Sequence, residues 1–250
     1  MSKIPKIIHY CWFGGNEKPP LVLKCIESWR KYMPEYELIE WNEHNFISDN
    51  NYMQEALNEK KYAFASDYAR LKIIYDFGGV YLDTDVELLK PLHILLENKG
   101  FIGFEKKSQI NTGLGFAAEK HNMAVKLMLD EYENLNFIVN GKLDLTPCPI
   151  RNTKALKKLG LILNNELQDL NHIMVYPTSY FCPIDYDSGN IYITNNTFSI
   201  HHYGYSWADS ESLKLLKVKR KIFKYVHKPY AQLVFNIYNK IYRFFRMVKK

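Results

Sequence analysis

No C-x-x-C pair occurs in this 250-residue chain; its four cysteines (Cys11, Cys25, Cys148, Cys182) stand far apart. That spacing argues against a zinc knuckle. No apolar run approaches the roughly 20 residues that span a bilayer. No internal repeat and no low-complexity linker is visible, which argues against a repeat array or a long disordered spacer. From Lys214 onward there is no Asp or Glu. The start, Met1-Ser2-Lys3-Ile4-Pro5-Lys6, enters a short strand-like run with no long apolar stretch behind it. The expectation is a chain without a secretory leader, in reducing cytosol, with free thiols.

Hydrophobic residues make up 47% of the chain, enough for a packed core, and argue against wholesale disorder. Charge is unevenly placed. Twelve of the 33 Lys and Arg lie in residues 214–250, while all 27 Asp and Glu precede them. A mildly acidic body therefore carries a strongly basic appendage.

Hydrophobic period and turn residues predict the elements. Strands are expected at 4–13, 36–41, 80–83, 101–104, 113–116, 173–176, 191–193 and 198–200. Helices are expected at 20–32, 52–60, 121–133 and 152–159, and over a stretch capped by Ser66 and stopped by Gly78-Gly79. Strands alternating with helices predict an α/β fold with a mostly parallel sheet. Residues 1–212 are expected to form the catalytic body and 213–250 a helical tail. After Pro229, apolar residues recur at Tyr230, Leu233, Val234, Ile237, Ile241, Phe244, Phe245 and Val248. That stripe predicts a basic amphipathic helix suited to an anionic membrane surface. A helix packed on the body is the plainer alternative. Nothing in the sequence resembles a nucleic-acid-binding module.

The most informative stretch runs from Ala65 to Val86. It reads as helix, glycine stop, strand, and then Asp83-Thr84-Asp85. On a strand, i and i+2 share a face, so the two carboxylates would converge. Close carboxylates repel unless a cation sits between them or one keeps its proton. Asp67 and Arg70 lie three apart on one helix face. An exposed ion pair would explain them, as would neutralisation of a bound phosphate by Arg70 and capture of sugar hydroxyls by Asp67.

The run from Ala65 to Asp85 resembles the D-x-D sugar-binding region of the family 32 glycosyltransferases, and is similar to related segments of the large glucosylating toxins and, more loosely, of family 8 enzymes. Three further blocks carry the resemblance: Ile4-Pro5-Lys6-Ile7-Ile8-His9-Tyr10-Cys11-Trp12-Phe13-Gly14, Asn111-Thr112-Gly113-Leu114 and His201-His202-Tyr203-Gly204-Tyr205-Ser206-Trp207. Thr146-Pro147-Cys148-Pro149 departs from the Thr-Gly-Pro run expected there. The resemblance implies a GT-A-like (Rossmann-like) fold and transfer from a nucleotide-sugar, expected to be a UDP-sugar, with retention of anomeric configuration. It implies Mn²⁺ (or Mg²⁺) on Asp83, Asp85 and His201, and catalytic roles for Asp83, Asp85 and Arg70. Donor contacts would come from Tyr10, Trp12, Asp67, Arg70, Asp83, Asn111, Ser206 and Trp207. The acceptor is expected to be a glycan or lipid-linked glycan of a surface polysaccharide pathway (capsule or lipopolysaccharide type), at the inner face of the cell membrane.

Each residue also has a structural explanation. Trp12 is equally a core aromatic, His9 suits a strand end, Asn111 suits a turn, and buried histidines are commonly packed and satisfied. Two other classes compete. A phosphohydrolase of the haloacid dehalogenase type also uses D-x-D, but early in the chain, and leaves Asp67, Arg70 and the glycine pair unexplained. A non-catalytic membrane or polyanion binder would explain the tail alone.

Overall fold

The computed structural model describes residues 4–185, 188–204 and 210–248. In chain order the elements are β1 (Ile7–Cys11), α1 (Pro20–Tyr32), β2 (Glu37–Trp41), α2 (Asn51–Asn58), α3 (Tyr62–Phe77), β3 (Gly79–Tyr81), β4 (Val86–Leu88), β5 (Gly100–Lys106), β6 (Gln109–Asn111), β7 (Phe116–Ala118), α4 (Met123–Asp130), β8 (Ile138–Val139), β9 (Lys142–Leu143), α5 (Cys148–Lys157), β10 (Gln168–Asp169), β11 (Met174–Tyr176), α6 (Thr178–Phe181), β12 (Ser199–His201), α7 (Ser210–Tyr225) and α8 (Lys228–Val248).

The central sheet runs β10-β11-β5-β7-β3-β1-β2, with β6 on β5. β1 pairs in parallel with β2 and β3, and β5 with β11. β7 runs against both β3 and β5. Helices cover both faces, so this is an α/β fold with a mostly parallel sheet, as the alternating pattern predicts. Side-chain alternation along β1 shows the two layers. Ile8 and Tyr10 enter the core under α1 with Cys25, Ile26 and Trp29. Cys11 enters the core under α3 with Ala65, Ala69 and Ile73. All four cysteines are buried and none is in a disulfide.

Several expected boundaries move, for local reasons. Ser66 is not a helix cap. α3 begins at Tyr62, and the Ser66 hydroxyl donates back to the Tyr62 carbonyl at 2.9 Å, the usual outlet for a mid-helix serine. Gly78 and Gly79 end that helix as expected, with φ of 67° and 105°. A side chain at Gly79 would meet the Ile7 carbonyl at 2.9 Å, so the close approach of β1 and β3 also requires glycine there. β3 stops at Tyr81, and Asp83 to Asp85 form a turn closed by the Val86 amide on the Asp83 carbonyl at 2.9 Å. Residues 113–116 are not one strand, because Thr112–Leu114 make a 3₁₀ turn. α5 starts earlier than expected, at Cys148, with Pro149 in its first turn where a missing N–H costs nothing. Residues 191–193 form no strand, only a bridge from Ile191 to Ile184.

Two compact units emerge. One comprises Met1–Pro183 and Ile193–Tyr203, and holds the sheet. The other comprises Ile184–Tyr192 and Gly204–Lys250, and holds α7 and α8. Among the described residues no helix is long and apolar enough to cross a membrane.

Candidate active site

β1 and β3 run in parallel, so their C-terminal ends open on the same sheet edge. Ligands of open α/β sheets gather at such edges. β3 is followed there by the turn carrying Asp83 and Asp85. β4, which leaves the turn, pairs antiparallel with β12, and His201 lies opposite Val86 in the register. The His202 amide donates to the Asp85 carbonyl at 2.9 Å and fixes this approach. One possible ligand atom each from Asp83, Asp85 and His201 lies within 4.8 Å of the others. The expected strand geometry is therefore replaced by a turn, yet the carboxylates still converge.

His201 Nε2 stands 3.0 Å from Asp85 Oδ1, while its Nδ1 is buried without a hydrogen-bond partner among the described residues. Burial opposes charge on this ring, but Asp85 and then Asp83 outweigh it and raise the imidazole's pKa. Burial likewise raises the Asp83 carboxyl, against the pull of Arg70. Two carboxylate oxygens and one imidazole nitrogen form a donor set that suits Mn²⁺, and Mg²⁺ less closely. The residues fit the divalent cation that the D-x-D resemblance implies.

Arg70 is the hub of the other half. It is 4% exposed, and its Nη2 lies 3.1 Å from Asp67 Oδ1 and 3.0 Å from Asp83 Oδ1. Nε donates to the Ser66 carbonyl at 3.1 Å and Nη1 reaches Thr112 Oγ1 at 3.5 Å. This is a buried, multiply bonded guanidinium rather than an exposed i,i+3 pair. Burial pushes the Asp67 carboxyl up to about 6, even against Arg70.

The Asn111–Leu114 loop closes on this hub. Asn111 Oδ1 accepts from the Gly113 amide at 2.7 Å and Asn111 Nδ2 donates to Glu105 Oε1 at 2.9 Å. Four neighbours were not anticipated from the sequence. Asn152 Nδ2 donates to Thr112 Oγ1 at 2.9 Å, and Cys148 Sγ lies 3.7 Å from Arg70 Nη1. Both come from the first turns of α5, the segment that departs from the family pattern. Glu105 also accepts from the Tyr203 hydroxyl at 3.3 Å, and the Tyr203 ring meets His201 edge-on at 4.2 Å. Tyr203 holds a positive φ of 52°, uncommon for an aromatic residue and concentrated at functional sites. Of the four, only Tyr203 had a signal in the sequence, its place directly after His-His.

The structure thus brings together Asp67, Arg70, Asp83, Asp85, Asn111 and His201. His202 turns instead to Glu87, with Nε2 at 2.7 Å from its carboxylate. Tyr10 faces the α1 layer: its hydroxyl donates to Glu40 at 2.9 Å and its ring meets Trp29 edge-on. It is on the face of β1 opposite α3, which carries Asp67 and Arg70. Trp12 follows β1 at the shared edge, half-buried, its indole donating to the Asn16 carbonyl at 2.7 Å with Lys18 over the ring at 5.5 Å. Ser206 and Trp207 lie outside the described residues. His9 is structural. Its Nε2 bonds the Gly78 carbonyl at 2.9 Å, and its Nδ1 accepts from Trp41 at 3.1 Å.

The D-x-D turn at the centre of this geometry lies within a region that is similar to known proteins. Residues 19–102 match the family described as a glycosyltransferase sugar-binding region containing a DXD motif. Over that span the chain is similar to the DXD glycosyltransferases. Two curated relatives come from Schizosaccharomyces pombe (strain 972 / ATCC 24843). Inositol phosphoceramide mannosyltransferase 1 is 31% identical over 110 residues, covering 41% of this chain and 34% of its own length. Inositol phosphoceramide mannosyltransferase 3 is 32% identical over 123 residues, covering 46% and 34%. The chain thus spans about a third of the length of these relatives. Among solved structures, the PaToxG glycosyltransferase aligns at 20% identity with a TM-score of 0.48, covering 62% of this chain and 69% of that one. A glycosyltransferase involved in glycosylation of the major capsid of PBCV-1 aligns at 12% identity with a TM-score of 0.44, covering 85% and 100%.

Proposed function

We propose that this chain is a divalent-metal-dependent glycosyltransferase that moves a sugar from a nucleotide-sugar donor to a hydroxyl of a glycan or lipid-linked glycan. The observation that carries the reading is the convergence of Asp83, Asp85 and His201 within 4.8 Å, beside a buried Arg70 that holds Asp67 and Asp83 together. Asp83, Asp85 and His201 would hold Mn²⁺ or Mg²⁺, which when bound offsets negative charge on a diphosphate leaving group. Arg70 keeps Asp67 and Asp83 in fixed positions and supplies permanent positive charge in a buried setting. Asp67 offers a carboxylate to sugar hydroxyls. Asn111 is locked by Gly113 and Glu105 and shapes the same wall. Trp12 provides an aromatic surface at the edge where a base can stack.

A UDP-sugar donor and retention of configuration are carried over from the resemblance. The mannosyltransferase names of the relatives support a hexosyl donor, and their inositol phosphoceramide acceptor supports a lipid-borne one. We propose surface-polysaccharide assembly as the setting because the basic amphipathic tail beside the catalytic body would bring the enzyme to a membrane-borne acceptor. A phosphohydrolase reading is disfavoured, because Asp83 follows the third sheet strand and is held by Arg70 rather than standing free as a nucleophile.

The test is a donor screen across UDP- and GDP-sugars with Mn²⁺, following donor hydrolysis and thermal shift. One nucleotide-sugar should be hydrolysed only with metal, and Asp85→Asn should abolish that turnover while keeping the fold. Undiminished metal-dependent turnover by Asp85→Asn would place the metal site elsewhere. Product anomeric configuration by NMR tests retention.

A further inference from the structure

The two sides of α8 are arranged the wrong way round for a helix that merely completes a protein core. Its packed side is formed by Ala231, Phe235, Asn239 and Tyr242, a helical spacing of four, four and three. Ala231 is wholly buried, the other three are half-buried, and Lys219 of α7 lies over the Phe235 ring at 5.6 Å. Six further large apolar residues lie outside that side. Tyr230, Leu233, Val234, Ile237, Tyr238 and Ile241 follow an i, i+3, i+4, i+7, i+8, i+11 stripe, and all six are exposed. Leu233, Ile237 and Ile241, one above another, are 58%, 49% and 51% exposed. Proteins free in water rarely leave so continuous an apolar face open.

Charge selects the occupant. Residues 214–250 contain twelve Lys and Arg and no Asp or Glu. Lys214, Lys217, Lys221 and Lys224 form an exposed row along α7, and Lys240 is exposed on α8. A second copy of the chain would bring like charge against like charge. A nucleic acid would answer the lysines but leave the aliphatic stripe in water. A bilayer of anionic lipid answers both, with acyl chains for the stripe and headgroups for the lysines. We propose that α8 lies flat on an anionic membrane surface through its Tyr230–Ile241 stripe, with the lysines of α7 and α8 supplying the electrostatic attraction.

Binding is independent of donor and metal, so this proposal and the enzymatic reading fail separately. The experiment is flotation of the full chain, without donor or divalent metal, with phosphatidylcholine vesicles and with vesicles containing 30% phosphatidylserine. The intact chain and Asp85→Asn should float alike with the anionic vesicles and not with the neutral ones. Joint replacement Leu233→Gln, Ile237→Gln and Ile241→Gln should lower the bound fraction at least tenfold with circular dichroism unchanged. A second variant, Lys214→Gln with Lys217→Gln, Lys221→Gln and Lys224→Gln, should weaken binding and flatten its salt dependence. Equal flotation of the triple variant and the intact chain would overturn the proposal. So would equal binding to neutral vesicles, or a dimer by light scattering that the triple variant dissolves while no vesicle binds.

Discussion

A side-chain carbon at Gly113 would lie 2.5 Å from Asp83 Oδ2 and 3.2 Å from Arg70 Nη1. The Asn111 loop and the D-x-D turn are therefore in contact at a point where only glycine fits. Gly113 has no positive φ, so Gly113→Ala should act through this contact and not through backbone strain. Displacing a positioned group by about 1 Å can cost on the order of 10²-fold in rate. The expected outcome is a loss of that order in kcat, with a melting temperature close to the parent's. A normal kcat would show that Asp83 can shift without consequence.

Arg70 supports the buried carboxylate of Asp67 and the half-buried one of Asp83 at once. Arg70→Ala leaves Asp67 and Asp83 without their cation, and losing one partner of a buried pair costs about 3–5 kcal/mol. Arg70→Lys keeps the charge but cannot reproduce a planar fork that also serves Ser66 and Thr112. Urea unfolding should rank the intact chain above Arg70→Lys, and Arg70→Lys above Arg70→Ala. Donor turnover should be lost in both variants. A lysine variant with full activity would reduce Arg70 to a simple counter-charge.

The D-x-D pair, its helix partners and the late histidine were legible in the sequence because each announces itself by residue type within a short window. What was not legible is geometry set by distant chain. Asp83 and Asp85 were expected on a strand, where alternation would align them. They converge instead because β12 returns against β4 and carries His201 to Asp85. Ser66 had cap chemistry, but its hydroxyl had an equally good acceptor one turn back at Tyr62. Asn152 and Cys148 carry no local signal at all; they enter the site because α5 docks on β6. The apolar stripe of α8 was legible as a pattern, whereas the finding that it faces outward required the packed side to be seen.

His9 gives a pH prediction. Burial lowers its pKa from 6.5 to about 4, while the Gly78 carbonyl bond works in the opposite direction. Between those values the unfolded chain takes up a proton that the folded chain refuses, so stability falls as pH falls from about 6.5 to about 4 and levels below that. The full effect is roughly 3 kcal/mol. His9→Gln should flatten this part of the stability curve whatever its effect at neutral pH. Parallel curves for the two proteins from pH 7 to 4 would mean that His9 protonates freely in the fold.

The Cys148 sulfur is 3.7 Å from a guanidinium, a neighbour that ordinarily activates a thiol. Burial and the Asp67 charge nevertheless raise the thiol's pKa well above its ordinary value, outweighing Arg70. The side chain acts as a small neutral donor, its S–H directed to Asn111 Oδ1 at 3.5 Å. Iodoacetamide at pH 8 should therefore label Cys148 far more slowly in the folded chain than in urea, as read by peptide mass spectrometry. Cys148→Ser keeps a donor of similar size and should retain donor turnover within a few-fold. Cys148→Met pushes extra volume against Arg70, Asn111 and Thr112, and overpacking of this kind costs about 1–3 kcal/mol. Its main effect should be a raised donor KM, because the wall it displaces holds Asn111. Rapid alkylation in the fold, or an unchanged KM in Cys148→Met, would remove Cys148 from the donor wall.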